Sequence, residues 1–279
     1  MLNEAWIAEV DGFLAHQKAG GKPETTRRAR RDHLYHLARR LDVETPWDVV
    51  GDDLIAYVGV QEWAKETRRS RRATFLAFWR WGVATGRCET VVAEALPMVS
   101  ATAPRPRPAP DAVYREALLR APARETLMLR MAAEMGLRRS EVAQAHTRDL
   151  LDDLVGWSLV VHGKGDKERV VPVPGSLARA IQDLPTGYLF PGDWGPGHLS
   201  PAYVGKRIRN LMPDGWTMHT LRHRFGTRAY ALRSDLLLVQ ELLGHASPST
   251  TRRYVELDRK RMRSLVEELE AADVRYANA

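Results

Sequence analysis

The chain has 279 residues, 44% hydrophobic and 28% charged, the proportions of a folded protein with room for one large or two ordinary domains. An excess of Lys and Arg (42) over Asp and Glu (35) leaves a net charge of +7, which favours a polyanionic partner. No apolar run approaches the roughly 18 residues of a membrane helix, the N-terminus lacks the basic start and long apolar stretch of a signal peptide, and the single Cys88 excludes an internal disulfide and fits a reducing cytosol.

Residues 5–17 place Trp6, Val10, Phe13 and Leu14 at helical spacing, and Gly20-Gly21 stops that helix. Thr25 or Thr26 is placed to cap a second helix running to about residue 41, with Leu34, Leu37 and Leu41 on one side. A third helix is predicted over 52–63 and a fourth over 67–85, the latter with Phe75, Phe78, Trp79 and Val83 inward and Gly86 closing it. Cys88, just beyond, reads as a packed or idle thiol rather than a nucleophile. Two arginine knots stand in the first turns of these helices: Arg27, Arg28, Arg30 and Arg31 in the second, and Arg68, Arg69, Arg71 and Arg72 in the fourth. Helix N-termini favour phosphate through free N–H groups and the helix dipole. The plain alternative is two solvated helix faces.

Proline at alternate positions in Ser100-Ala-Thr-Ala-Pro-Arg-Pro-Arg-Pro-Ala-Pro110 predicts an extended basic strap carrying Arg105 and Arg107. The expected division is therefore an all-helical domain over 1–99, a linker over 100–110, and a mixed, mainly helical domain with a small antiparallel sheet over 111–279. In the second domain, 125–135 is helical with Leu127, Met131 and Met135 on one face. Ser140 is placed to cap a helix reaching about residue 145. Residues 157–162 and 170–173 read as strands joined through Gly163-Lys-Gly-Asp-Lys167, a hairpin with a glycine-rich tip. Helices follow over 176–184, 203–212, 219–232 and 236–243, the last ended by Gly244. Ser247-Pro248 opens a further helix carrying Tyr254. An apolar stripe of Met262, Leu265, Val266 and Leu269 marks an amphipathic tail, expected to dock on a neighbouring protomer or on its own domain.

The chemistry is concentrated in four motifs of this second half. Arg138 and Glu141 lie in Gly136-Leu-Arg-Arg-Ser-Glu141, and Lys164 in His162-Gly-Lys-Gly-Asp-Lys-Glu-Arg169. His219 and Arg222 lie in His219-Thr-Leu-Arg-His223, and Leu243-Gly-His245 precedes Ser249-Thr-Thr-Arg-Arg-Tyr254. Two arginines, a lysine, two histidines and a tyrosine suit a phosphodiester substrate: the Tyr hydroxyl is a nucleophile, and the cations fit a pentacovalent phosphate. Arg139 competes with Arg138, and Lys167 with Lys164. His219 and His223, at i and i+4, hint at a metal pair. No Glu adjoins the first His and no third ligand is evident, so no metal is expected and His223 reads as structural.

In this order and spacing the chain resembles the tyrosine recombinases, the phage integrase family, over most of its length and most densely from Gly136 to Tyr254. The resemblance implies a helical, SAM-like core-binding domain ahead of a catalytic domain. It selects Arg138 over Arg139 and Lys164 over Lys167. It implies that Tyr254 attacks DNA to leave a 3′-phosphotyrosyl link and a free 5′-hydroxyl, with no cofactor and no ATP. Arg138 and Arg222 would clamp the phosphate, Lys164 protonate the leaving oxygen, His219 accept the tyrosyl proton or position the phosphate, and His245 donate to a non-bridging oxygen, while Glu141 orients an arginine or His219. The implied partners are double-stranded core sites and further copies of the chain, a dimer on each site and a tetramer in the synapse; an accessory DNA-bending or directionality protein is compatible with this. The expected location is the bacterial cytoplasm, at the nucleoid. Because the chain begins almost directly with the core-binding helices, an arm-binding domain is not expected. An integrase of a phage or mobile element is the preferred role, with a Xer-type resolvase of chromosome dimers, a type IB topoisomerase and a binding-only relative as alternatives. Arg224 departs from the family pattern, which has a small hydroxyl residue there, and is expected to meet DNA or an acid.

Overall fold

The computed structural model describes residues 2–101, 107–163, 167–193 and 196–244. Tyr254, His245, Lys164, Arg105 and the tail stripe lie outside them. Two units separate, Met1–Pro104 and Arg105–Ala279.

The first unit is built from α1 (Glu4–Ala19), α2 (Glu24–Ala38), α3 (Gly51–Gly59) and α4 (Lys65–Ala84). Asn3 caps α1 by accepting from the Ala5 N–H at 3.0 Å. Pro23, not Thr25 or Thr26, stands at the cap of α2: its fixed φ suits a helix start, and the two threonines fall inside the first turn. The helices bury an aromatic core of Trp6, Phe13, Phe75, Phe78, Trp79 and Trp81. Phe13 meets Phe78 edge-on at 5.4 Å, and the Trp47 ring stacks on Phe78 at 5.2 Å. Val83, expected inward, lies on the exposed side; Trp81 and Gly82 take the inner positions instead. Gly82 is needed there, because a Cβ would lie 2.5 Å from the Trp47 ring and 2.9 Å from the Cys88 sulfur. Cys88 is thus packed as expected, and burial raises its thiol pKa.

The second unit contains α5 (Asp111–Arg120), α6 (Ala123–Glu134), α7 (Arg139–Gln144), a three-stranded sheet, α8 (Gly175–Gln182), α9 (Pro201–Leu211), α10 (Met218–Arg233) and α11 (Leu236–Leu243). The strands are β1 (Leu150–Asp153), β2 (Gly156–His162) and β3 (Glu168–Val173), antiparallel in the order β1-β2-β3. Sequence periodicity marked only β2 and β3. The short β1, Leu-Leu-Asp-Asp, is mostly exposed and shows no alternation, and it pairs Leu150 with Leu159. Helix α6 is apolar on nearly every side, with Leu127, Met128, Leu129, Met131, Ala132 and Ala133 all buried, so it forms the centre of the unit rather than a one-sided surface helix. The described end of the proline strap is not free: the Ala109 N–H donates to the Thr220 carbonyl at 3.0 Å, and Arg107 stacks on Trp216 at 4.4 Å.

Replacing Gly82 by Val should destabilise the first unit by about 2 kcal/mol through overpacking against the Trp47 ring, and so lower the urea midpoint of its transition. An unchanged midpoint would show that the ring can move aside.

Candidate active site

Gly136 starts the site. Its φ is +69°, and a Cβ would lie 2.5 Å from Phe225 and 2.8 Å from Leu243, so the chain passes here only as glycine. The turn sets Arg138 at the N-terminal boundary of α7. Arg138, not the expected Ser140, is the N-cap residue, and its N–H donates to the Glu141 carboxylate at 2.8 Å. Glu141 therefore satisfies a donor that a helix start leaves open, and this fixes its own direction.

Glu141 is buried, with its side chain 1% exposed. Arg138 donates to its Oε1 at 2.6 Å. Arg169, from β3, grips it with both terminal nitrogens, at 2.9 and 2.8 Å. Arg222 lies 3.9 Å from its Oε2. Burial alone would push the Glu141 carboxyl up, but the Arg169 hydrogen bonds, the Arg138 N–H and the surrounding guanidinium charge bring it down to about 2.

The same three arginines hold the end of α11. A helix leaves its last carbonyls without intrahelical donors. Arg169 donates to the Leu242 carbonyl at 3.2 Å, Arg222 to that of Leu243 at 2.6 Å, and Arg138 to that of Gly244 at 3.0 Å. Cations at a helix C-terminus are also favoured by its dipole. Gly244 has a φ of +61°, and a Cβ would lie 2.8 Å from the Arg169 stem, so glycine both ends the helix and admits the arginine.

Arg222 is buried, and it also donates to the Gly136 carbonyl. Its fork, expected on a phosphate, is directed in this structure to two main-chain carbonyls at the floor of a cleft of about 660 Å³. Among the described residues the cleft is lined by Arg138, Arg139, Lys206, Arg209, His219 and Arg222, with no carboxylate residue among them. His219 is exposed on the first turn of α10, and its ring packs edge-on against His223 at 4.3 Å. Among the described residues no cluster of three His, Cys, Asp or Glu forms a metal site.

The hairpin that carries Lys164 closes with His162 paired to Glu168 and the Gly163 N–H donating to the Lys167 carbonyl at 2.7 Å. The His162 ring sits between Asp149 (3.2 Å) and Glu168 (3.0 Å). Arg224 meets an acid, donating to Asp111 at 2.7 Å beside Arg228.

In the first unit the arginine knots are mostly tied down. Arg68 donates to the Gln61 carbonyl at 2.6 Å and Arg72 to that of Leu96 at 3.1 Å. Arg71 lies over the Trp63 ring at 4.2 Å. Arg27 donates to the Lys22 carbonyl at 3.2 Å, Arg30 to the Gln17 side chain, and Arg31 lies 3.8 Å from Asp32. Arg28 and Arg69 are the exposed members, and Arg69 lies 3.1 Å from Glu66.

Sequence reasoning missed Arg169, Lys206 and Arg209. The signal for Arg169 was the strand period of two: it shares a face with the buried Val171 and Val173, and an arginine on an inner face requires a carboxylate.

The model of the phage integrase family matches residues 116–261, just over half of the chain. Tyrosine recombinase XerC of Methylobacterium sp. (strain 4-46) is 30% identical over 95% of this chain and 85% of its own length. The chain belongs to the phage integrase family. Its members are the tyrosine recombinases, enzymes that break and rejoin DNA strands. The XerC of Rhodospirillum centenum is 33% identical, over 68% of this chain and 62% of its own length. The XerC of Mesorhizobium japonicum is 38% identical, over 52% of this chain; that match spans 50% of the relative's length. Two solved recombinase structures share the fold. XerH bound to a palindromic difH substrate matches with a TM-score of 0.69 at 21% identity, over 91% of this chain and 82% of that one. Lambda integrase (residues 75–356) bound to DNA matches with a TM-score of 0.70 at 18% identity, over 91% and 98%. Among the described residues no helix is long and apolar enough to cross a membrane.

The depressed Glu141 pKa fixes a pH dependence. The ionised, arginine-held carboxylate contributes stability that is fully present above its ordinary value of 4.5 and is lost as the pH falls towards about 2. At pH 7 this amounts to about 3 kcal/mol. Glu141→Gln should therefore lower the urea midpoint at pH 7, and should flatten its fall between pH 4.5 and pH 3; an equally steep fall would assign the acid sensitivity elsewhere.

Proposed function

We propose that this chain is a site-specific DNA recombinase that cuts and rejoins strands through a 3′-phosphotyrosyl ester on Tyr254. The observation that carries the reading is the cleft itself: Arg138, Arg222 and His219 face one space whose other charged lining is also basic. Such a space suits a phosphodiester and no cationic or neutral substrate. The Tyr254 hydroxyl attacks phosphorus, the bond to the 5′-oxygen breaks, and that leaving oxygen takes a proton from Lys164 to become the free 5′-hydroxyl. His219 takes the tyrosyl proton, and His245 donates to a non-bridging oxygen. Attack by a 5′-hydroxyl on the ester reverses the step, so strand exchange needs no ATP and no cofactor. Arg138 and Arg222 stabilise the charge that develops on the phosphate, an effect of roughly 3–4 kcal/mol per well-placed donor.

In this reading the first unit is the core-type DNA-binding domain, and its exposed Arg28 and Arg69 meet the backbone. Arg30, Arg31, Arg68, Arg71 and Arg72 shape the helices that present them. Double-stranded core sites and further copies of the chain, as dimer and tetramer, are the partners that the family resemblance implies. A Xer-type resolving role is favoured by the XerC relatives, one of them aligned over 95% of this chain. An integrase role is the second reading, supported by the family that the chain belongs to.

Covalent trapping on nicked genomic fragments, with Tyr254→Phe as control, tests the proposal. Adducts with the wild type alone are expected. Sites at one chromosomal locus support resolution, and sites at the ends of a mobile element support integration. Retained binding without adducts would sink the catalytic reading. DNA affinity should also fall by roughly 10³–10⁵ between 50 and 200 mM salt if six to ten phosphates are neutralised, as a filter-binding series would read. A nearly flat response would remove the backbone contacts.

A further inference from the structure

We propose that Arg169 is a positioning residue of this site. It neutralises Glu141 so that the carboxylate does not draw Arg138 out of the cleft, and it pins the end of α11 through the Leu242 carbonyl. This rests on the recombinase reading above.

An ionised carboxylate offers about four acceptor positions. On Oε1 of Glu141, Arg138 and Arg169 occupy two, at 2.6 and 2.9 Å. On Oε2, the Arg138 N–H and Arg169 occupy two more, each at 2.8 Å. Glu141 is therefore filled, and half of its bonds come from one bidentate guanidinium. The exposures sort the two arginines: the Arg169 side chain is 14% exposed and the Arg138 side chain 38%. Arg169 faces inward with Glu141, whereas Arg138 lines the cleft. The two buried partners cancel in charge, and the charge of Arg138 is left for an anion.

Without Arg169, two acceptor positions and a full negative charge would be uncovered in a buried place. Arg138 already donates at 2.6 Å and would then share its charge with no other cation on that oxygen, and Arg222, 3.9 Å away, would be pulled towards Glu141. The cleft would then lose about one unit of positive charge where a phosphate must sit. The third bond of Arg169, to Leu242, adds a mechanical part: a strand of the hairpin and the end of the helix leading to His245 are held by one planar group. A lysine has a point charge and cannot make all three bonds.

The test uses the full chain with Arg169→Met, Arg169→Lys, Glu141→Gln and the Arg169→Met/Glu141→Gln double variant. Single-turnover adduct formation on nicked DNA carrying the trapped site is measured at saturating protein, beside the DNA dissociation constant. Arg169→Met should slow adduct formation about a hundredfold with DNA affinity nearly unchanged. Removing the now uncompensated charge in the double variant should restore the rate about tenfold over Arg169→Met. An unchanged rate in Arg169→Met, or a loss that Glu141→Gln does not relieve, overturns the proposal, because a purely structural part would give no rescue. Arg169→Lys, which keeps a charge, serves for the rate comparison if the Met variant does not fold. A carbon-13 titration of the Glu141 carboxyl in DNA-free protein separates the two readings. If the wild type forms no adduct, the recombinase reading fails. The titration then decides for Arg169: an upward move of the midpoint in the variant supports the neutralisation, and an unmoved midpoint overturns it.

Discussion

One buried carboxylate, Glu141, organises the arginine cluster of the second unit. Glu141 can remain ionised away from water only because hydrogen-bond donors and guanidinium charge surround it on both oxygens. Those donors come from the start of α7 and from β3, and Arg222 of α10 stands close by. The carboxylate thus ties β3 to the start of α7, beside the bond from Arg222 of α10 to the Gly136 carbonyl. A charge of one sign gathers several of the opposite sign, and the surplus faces the cleft.

The end of α11 completes this arrangement. Three successive carbonyls would otherwise be unsatisfied at a helix terminus packed into the protein. Each meets a different arginine, so the same side chains that hold Glu141 also stop the helix. Glycine at 136 and at 244 is the condition for both, one because the backbone crosses Phe225 and Leu243, the other because the Arg169 stem needs the space. These two positions belong to motifs that stand out in the sequence for the charged residue beside them, and the glycine carries as much of the geometry.

Much of the fold was legible. Periodicity located α1, α4, α6, α10 and α11 within a few residues, and the glycine-rich tip identified the β2–β3 hairpin. Motif spacing led to Arg138, Glu141, His219 and Arg222, and the structure brings all four to one end of the second unit. What escaped was of two kinds. Caps were misjudged where Pro23 or Arg138 took the place expected of a hydroxyl residue, because side-chain preference competes there with backbone angle. The Arg169 interaction escaped because its partner is 28 residues away, and local pattern does not report which carboxylate an inward arginine will meet. The arginine knots show what clustering in sequence leaves open. Eight clustered charges suggested eight contacts, but Arg68, Arg71 and Arg72 are spent on carbonyls and rings of their own unit.

The arginine cluster has a consequence for synthesis. The bonds from Arg138, Arg169 and Arg222 to the end of α11 span 106, 73 and 21 residues. Closing such loops takes time, and none can close before Gly244 has left the ribosome. A nascent or truncated chain can therefore hold folded helices and a hairpin without an assembled anion site. These contacts at the end of α11 therefore form only after every segment from Gly136 to Gly244 has been made.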